Sequence, residues 1–186
     1  MVHNLDDSIA LLGRTPAALD AFLRDLPAVW TLNNEGPSPD GKPSFTVRDT
    51  VAHLIHADRT DWMPRAHHIL DQGESQPLPA FRRFGHIEAS EGKPLNALLD
   101  EFAEIRAQSL RDLDALGLTP GDLARRGQHP TFAIVTLSEL LATWAAHDLT
   151  HLHQITRVMA YQYRDAVGPF AKFLGVLHCA GHSAPA

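Results

Sequence analysis

His147 and His151 stand four residues apart in LSELLATWAAHDLTHLHQITRV (137–158), a stretch whose apolar residues recur with helical spacing. On a helix of about 3.6 residues per turn the two rings differ by about 40° and project side by side. Measured from His147, Leu140 and Val158 fall near about +20°, Trp144 near about +60°, and Leu137 and Ile155 near about +80°. The histidine pair therefore belongs to the stripe that must face a core. A buried imidazole without a partner costs about 1–3 kcal/mol, and a divalent metal is the partner that two imidazoles at i, i+4 suit best. The competing reading is a core-edge histidine bonded to a carboxylate or carbonyl. Twelve histidines in the chain strengthen it, so a third ligand has to decide.

Further candidates lie in VAHLIHADRTDW, which offers His53 and His56, and just beyond it in His67 and His68. With Val51, Leu54, Ile55 and Trp62 as the buried stripe, neither His53 nor His56 sits at its centre, and periodicity leaves both open. Asp58 and Asp61 follow His53 by one to two turns, each a candidate base or hydrogen-bond acceptor. Gln154 lies about −20° from His147, placed to hydrogen-bond a substrate or a metal-bound water. Asp148 makes HDLTH resemble a zinc-protease HExxH, but aspartate replaces the glutamate base and no downstream ligand pattern follows. Trp62 and Trp144 read as packing. His67, His68, His86, His129, His153, His178 and His182 carry no spacing that marks them.

The elements that must position these residues are helical. Residues 4–28 carry Leu5, Ile9, Leu12, Leu19, Phe22, Leu23 and Leu26 at three- and four-residue steps, which predicts one helix bent near Thr15-Pro16. NNEGPSPDGKPS (33–44) is a loop. Ser44 or Thr46 caps a second helix running to about Leu70, with Pro64 as a kink or break. A long connection spans 72–93. Pro94 opens a third helix that closes at Gly117, and 118–136 is a loop with one turn of helix at most. The fourth helix covers 137–163, and Gly168-Pro169 separates it from an amphipathic C-terminal tail. The expectation is an all-α, antiparallel four-helix bundle with long loops, one domain over residues 1–186.

Composition narrows the partners. Lys+Arg 16 against Asp+Glu 22 gives a net charge of −6 with no basic cluster, which argues against nucleic acid and against an anionic membrane surface. The opening MVHNLDDSIALLGR has no signal-peptide pattern and no stretch approaches about 18 apolar residues, so a cytoplasmic location is expected. A single cysteine, Cys179, excludes intrachain disulfides and CxxC motifs.

FTVRDTVAHLIHADRTDW and LSELLATWAAHDLTHLHQITRV together resemble the second and last bundle helices of the DinB superfamily, the DinB/YfiT-like metalloenzymes. The likeness runs over nearly the whole chain. It implies a three-histidine site of His53, His147 and His151, with His53 chosen over His56 because it precedes Leu54 at the family's characteristic position. Gln154 matches the family's glutamine after the last ligand, whereas Leu152 and His153 depart from its Arg-Gly. The resemblance implies one divalent metal with an open position, zinc or nickel first and iron, manganese or copper also admitted. It implies a small-molecule substrate handled by metal-activated water or by transfer of a low-molecular-weight thiol; beside the implied metal, Asp58 and Gln154, placed by helical spacing, are the candidate catalytic groups. A non-catalytic protein with a structural metal is the alternative, and a homodimer is the assembly kept open.

Overall fold

A computed structural model describes residues 2–36 and 44–179. The first predicted helix is two: α1 (Leu5–Leu12) and α2 (Thr15–Leu23), followed by the short α3 (Ala28–Thr31). Pro16 in the first turn of α2 has no N–H to continue the α1 ladder, so the chain breaks there rather than bending. Of the predicted 33–44 loop, residues 37–43 lie outside the described residues, as do His182 and the GHSAPA end.

The second predicted helix is α4 (Val47–Ala57), a π-helical turn (Asp58–Trp62) and α5 (Met63–Gln72). Thr46 caps α4 in a capping box with Asp49. Pro64 cannot donate to the carbonyl four residues before it, and the wider π turn absorbs that break without ending the rod. The 72–93 connection contains α6 (Gly85–Ala89), which was not predicted. Next come α7 (Leu95–Ala115) and the single-turn α8 (Pro120–Leu123). A hairpin of β1 (Arg126–His129) and β2 (Ala133–Thr136) pairs Arg126 with Thr136 and His129 with Ala133. The chain is mostly helical as expected, and this small two-stranded sheet is an addition to it: four-residue strands are too short to show alternation. Thr136 and Glu139 form a capping box for α9 (Leu137–Tyr161), and two short 3-10 turns follow at Gly168–Phe173 and Gly175–Leu177.

The apolar core comes in two parts. One gathers Leu12, Trp62, Ile69, Leu113, Leu137 and Trp144; the other gathers Leu23, Val51, Phe102, Ile155 and Val158. Helix α9 passes from the first part to the second, as α1 and α2 do, whereas α4–α5 and α7 pass from the second to the first. The antiparallel expectation is corrected accordingly. Helices α4 and α7 pack side by side in the same direction, with Arg48 Nε donating to Lys93 O (2.8 Å) at one level and Arg106 paired with Asp58 further along. A parallel neighbour needs a connection that returns along the rod, and residues 73–94 supply it. No helix among the described residues is long and apolar enough to cross a membrane.

Candidate metal centre

Between the two apolar parts runs a layer of buried polar groups: His53 and Asp58 from the second rod, Arg106 from α7, and Asp148, His151 and Gln154 from α9. Helical phase on α9 splits them into two clusters, because Asp148 and His151 point to different neighbours.

The first cluster is ionic. Arg106 donates from Nε to Asp58 Oδ2 (2.7 Å) and from Nη2 to Asp58 Oδ1 (3.0 Å). Toward α9 it donates to Asp148 Oδ2 (2.5 Å) and Oδ1 (3.0 Å), and Nη1 also reaches Leu12 O (3.0 Å) at the end of α1. All five guanidinium N–H groups are engaged, and one side chain ties together all four helical runs. Trp144 Nε1 donates to Asp58 Oδ1 (3.1 Å), and the guanidinium lies over the rings of Phe102 and Trp144. Burial alone would lower the pKa of Arg106; the two carboxylates outweigh it and hold the group charged. The expected base Asp58 is thus placed in a structural ion cluster, its two oxygens engaged by Arg106 and Trp144. Asp148 is held likewise, which removes the HExxH-like reading. Asp61 is buried too and pairs with Arg65 (2.7 Å).

The second cluster is the histidine group. His53, His147 and His151 each bring a ring nitrogen to within 4.8 Å of the others. His147 Nε2 and His151 Nε2 are 3.0 Å apart, close to the separation of about 3.4 Å for two nitrogens about 2.1 Å from one tetrahedral ion. The His53 ring centre lies 4.7 Å from that of His151 and 5.4 Å from that of His147. Gln154 Oε1 accepts from His151 Nδ1 (2.7 Å), which leaves the His151 Nε2 lone pair facing His147. Burial first, and then the neighbouring imidazoles, hold His53 and His147 well below the usual imidazole range. Their neutral form is the one that ligates. His53 Nδ1 and His147 Nδ1 are buried with no hydrogen-bond partner among the described residues. Three imidazoles, two of them held neutral by burial and the third oriented by a second hydrogen bond, make a donor set that fits a divalent ion.

Aromatic walls close the site. Trp62 meets His147 edge-on at 5.1 Å and stacks on Trp144 at 5.9 Å; Phe45 and Phe81 flank His53 at 5.6 and 5.7 Å. His56, the alternative that periodicity left open, turns away and bonds Arg82 O (3.0 Å). A Cβ on Gly85 would come within 2.7 Å of the His56 ring, so the glycine lets α6 lie against that ring as it stands. This approach brings in His86, whose ring centre is 5.3 Å from that of His53. Sequence reasoning passed over His86 because the connection around it has no periodicity, and Arg106 because its partners lie 42 and 48 residues away. A lone arginine on the apolar side of α7, among Phe102, Leu113 and Ser109, was the available signal for the latter.

The model of the DinB superfamily matches residues 11–155. Among solved structures, the chain is similar to YfiT from Bacillus subtilis, described as a probable metal-dependent hydrolase with an unusual four-helix bundle topology. That match has a TM-score of 0.65 at 24% identity and covers 88% of this chain and 87% of the other. Among curated proteins none matches the chain.

Proposed function

The chain belongs to the DinB superfamily, and on that premise we propose that it is a metal-dependent enzyme acting on a small molecule, with His53, His147 and His151 holding one divalent ion. The observation that carries the reading is the convergence of three imidazole nitrogens within 4.8 Å from two helices, two of the residues buried and His147 half-buried. Zinc or nickel suits this all-nitrogen set first. An ion held by three protein ligands supplies an open position, where it lowers the pKa of a water toward about 7 or holds a thiol as thiolate. Hydrolysis is the branch we take, because the fold is shared with a protein described as a probable metal-dependent hydrolase. His151 is kept in one tautomer by Gln154, which is the role assigned to that glutamine. Trp62, Phe45 and Phe81 restrict water around the ligands and raise the strength of every polar contact there. Asp58 is assigned to the ion cluster rather than to proton transfer.

The test is metal analysis of untagged protein purified without chelator, followed by spectra of the Co(II)-substituted protein. Expected are one ion per chain, at least about tenfold less in a His147→Ala, His151→Ala double variant, and a visible spectrum that changes on adding azide. Full occupancy in the double variant would sink the ligand assignment. A spectrum invariant to azide, cyanide and thiols would make the metal structural. A response to thiols far exceeding that to anions would move the reading to thiol transfer.

A further inference from the structure

Two orphaned nitrogens lie on neighbouring rings at the edge of the histidine cluster. His86 is only 1% exposed, and its Nδ1 is 3.1 Å from Arg83 O. A carbonyl accepts and cannot donate, so His86 Nδ1 carries the proton and Nε2 is a bare lone pair. That Nε2 is buried and has no hydrogen-bond partner among the described residues. On the adjoining ring His53 Nδ1 is in the same condition. If His53 ligates through Nε2, its Nδ1 must bear a proton and needs an acceptor, at a cost of about 1–3 kcal/mol when none is met. The ring centres are 5.3 Å apart with planes at 84°, so the two rings are neighbours, and no hydrogen bond joins them in this arrangement.

We infer that His86 is a positioning residue for the metal site: with an ion on His53 Nε2, the His53 Nδ1–H turns to His86 Nε2 as its acceptor, the part that Gln154 Oε1 already plays for His151 Nδ1–H. The inference rests on the proposed ligand set. Each helix that supplies ligands then has a partner that fixes ring tilt and tautomer, one from α9 itself and one from α6. The placement of His86 is built in from several sides. Phe45 packs edge-on against it at 4.6 Å and also flanks His53. His56 bonds Arg82 O, and Gly85 lets the α6 backbone reach the His56 ring. Helix α6 is therefore the support for a ligand on another helix, although it is five residues long and sits in a connection.

The experiment uses the full chain stripped of metal and titrated with zinc alone against a chromogenic chelator. His86→Phe keeps the ring and its packing on Phe45 but removes the acceptor; His86→Gln keeps an acceptor oxygen. Expected is a loss of zinc affinity of about ten- to a hundredfold in the phenylalanine variant, recovered by glutamine to within a few fold. The metal-free melting temperatures of both variants should match the wild type. Wild-type affinity in His86→Phe, or equal loss in both variants, overturns the inference. Zinc-loaded wild type gives a second measurement: a slowly exchanging imidazole N–H resonance assigned to His53 Nδ1, whose absence with zinc bound also overturns it. Failure of the wild type itself to bind zinc, nickel or cobalt would instead sink the proposed metal site.

Discussion

Arg106 and His147 lie in the same buried layer of helices, yet the protein treats their polar atoms in opposite ways. Every donor of Arg106 meets an acceptor, whereas three buried imidazole nitrogens, on His53, His86 and His147, meet none among the described residues. Trp144 and Trp62 stand between the clusters, one bonded to Asp58 and the other against His147. A folded chain satisfies nearly all of its buried polar groups, so a saturated cluster reads as architecture. Orphaned groups beside it, on α4, α6 and α9, read as a site completed only when something the chain does not itself contain is bound. The two clusters should therefore respond differently when cut.

The largest effect is expected at Arg106. Arg106→Ala leaves Asp58 and Asp148 buried and uncompensated and should cost about 3–5 kcal/mol in urea unfolding of the metal-stripped protein. His147→Phe, close in volume, should cost less than about 1.5 kcal/mol under the same conditions. Equal losses would mean that both clusters are architectural and would break the contrast.

Next in size is Gln154→Leu, which removes the acceptor of His151 Nδ1. Zinc affinity should fall by about ten- to a hundredfold with unfolding of the stripped protein little changed. Loss of stability without loss of zinc would transfer Gln154 to the structural side.

The smallest effect sharpens the contrast through pH. Burial depresses the folded-state values of His53 and His147, while the unfolded chain keeps the ordinary value of about 6.5. Below that pH the unfolded state takes up protons that the folded state refuses. The stripped protein should lose up to about 1.4 kcal/mol per pH unit for each histidine as pH falls from about 6.5, and none of this above it. Urea unfolding between pH 7 and 5 should show a shallower slope in His147→Phe; identical slopes would show that His147 is not held neutral.

How much of this was legible in the sequence follows the range of the interactions. The pair His147 and His151 lies on one helix, so local periodicity exposes it, and the Thr46 and Thr136 starts carry their own capping residues. The third ligand lies about a hundred residues earlier. Helical phase could not choose between His53 and His56, and the family resemblance pointed to the one that the fold brings to the pair. Arg106 and His86 acquire meaning only through partners that folding brings in from elsewhere. The parallel course of α4 and α7 was hidden for the same reason. A helix-period pattern says which face is buried and nothing about direction, and the direction is set by the 73–94 connection.

The π-helical turn at Asp58–Trp62 makes the length of its segment as binding as its composition. Deleting one residue there would remove the extra residue that widens the turn and rotate all that follows by about 100°. Val51 and His53 would keep their places, while Ala66 and Ile69, both now fully buried, would swing out of the core. The turn at 73–76 has slack for insertions and deletions, but at the π-helical turn a single lost codon would uncouple the half of the rod that carries a ligand from the half that anchors it.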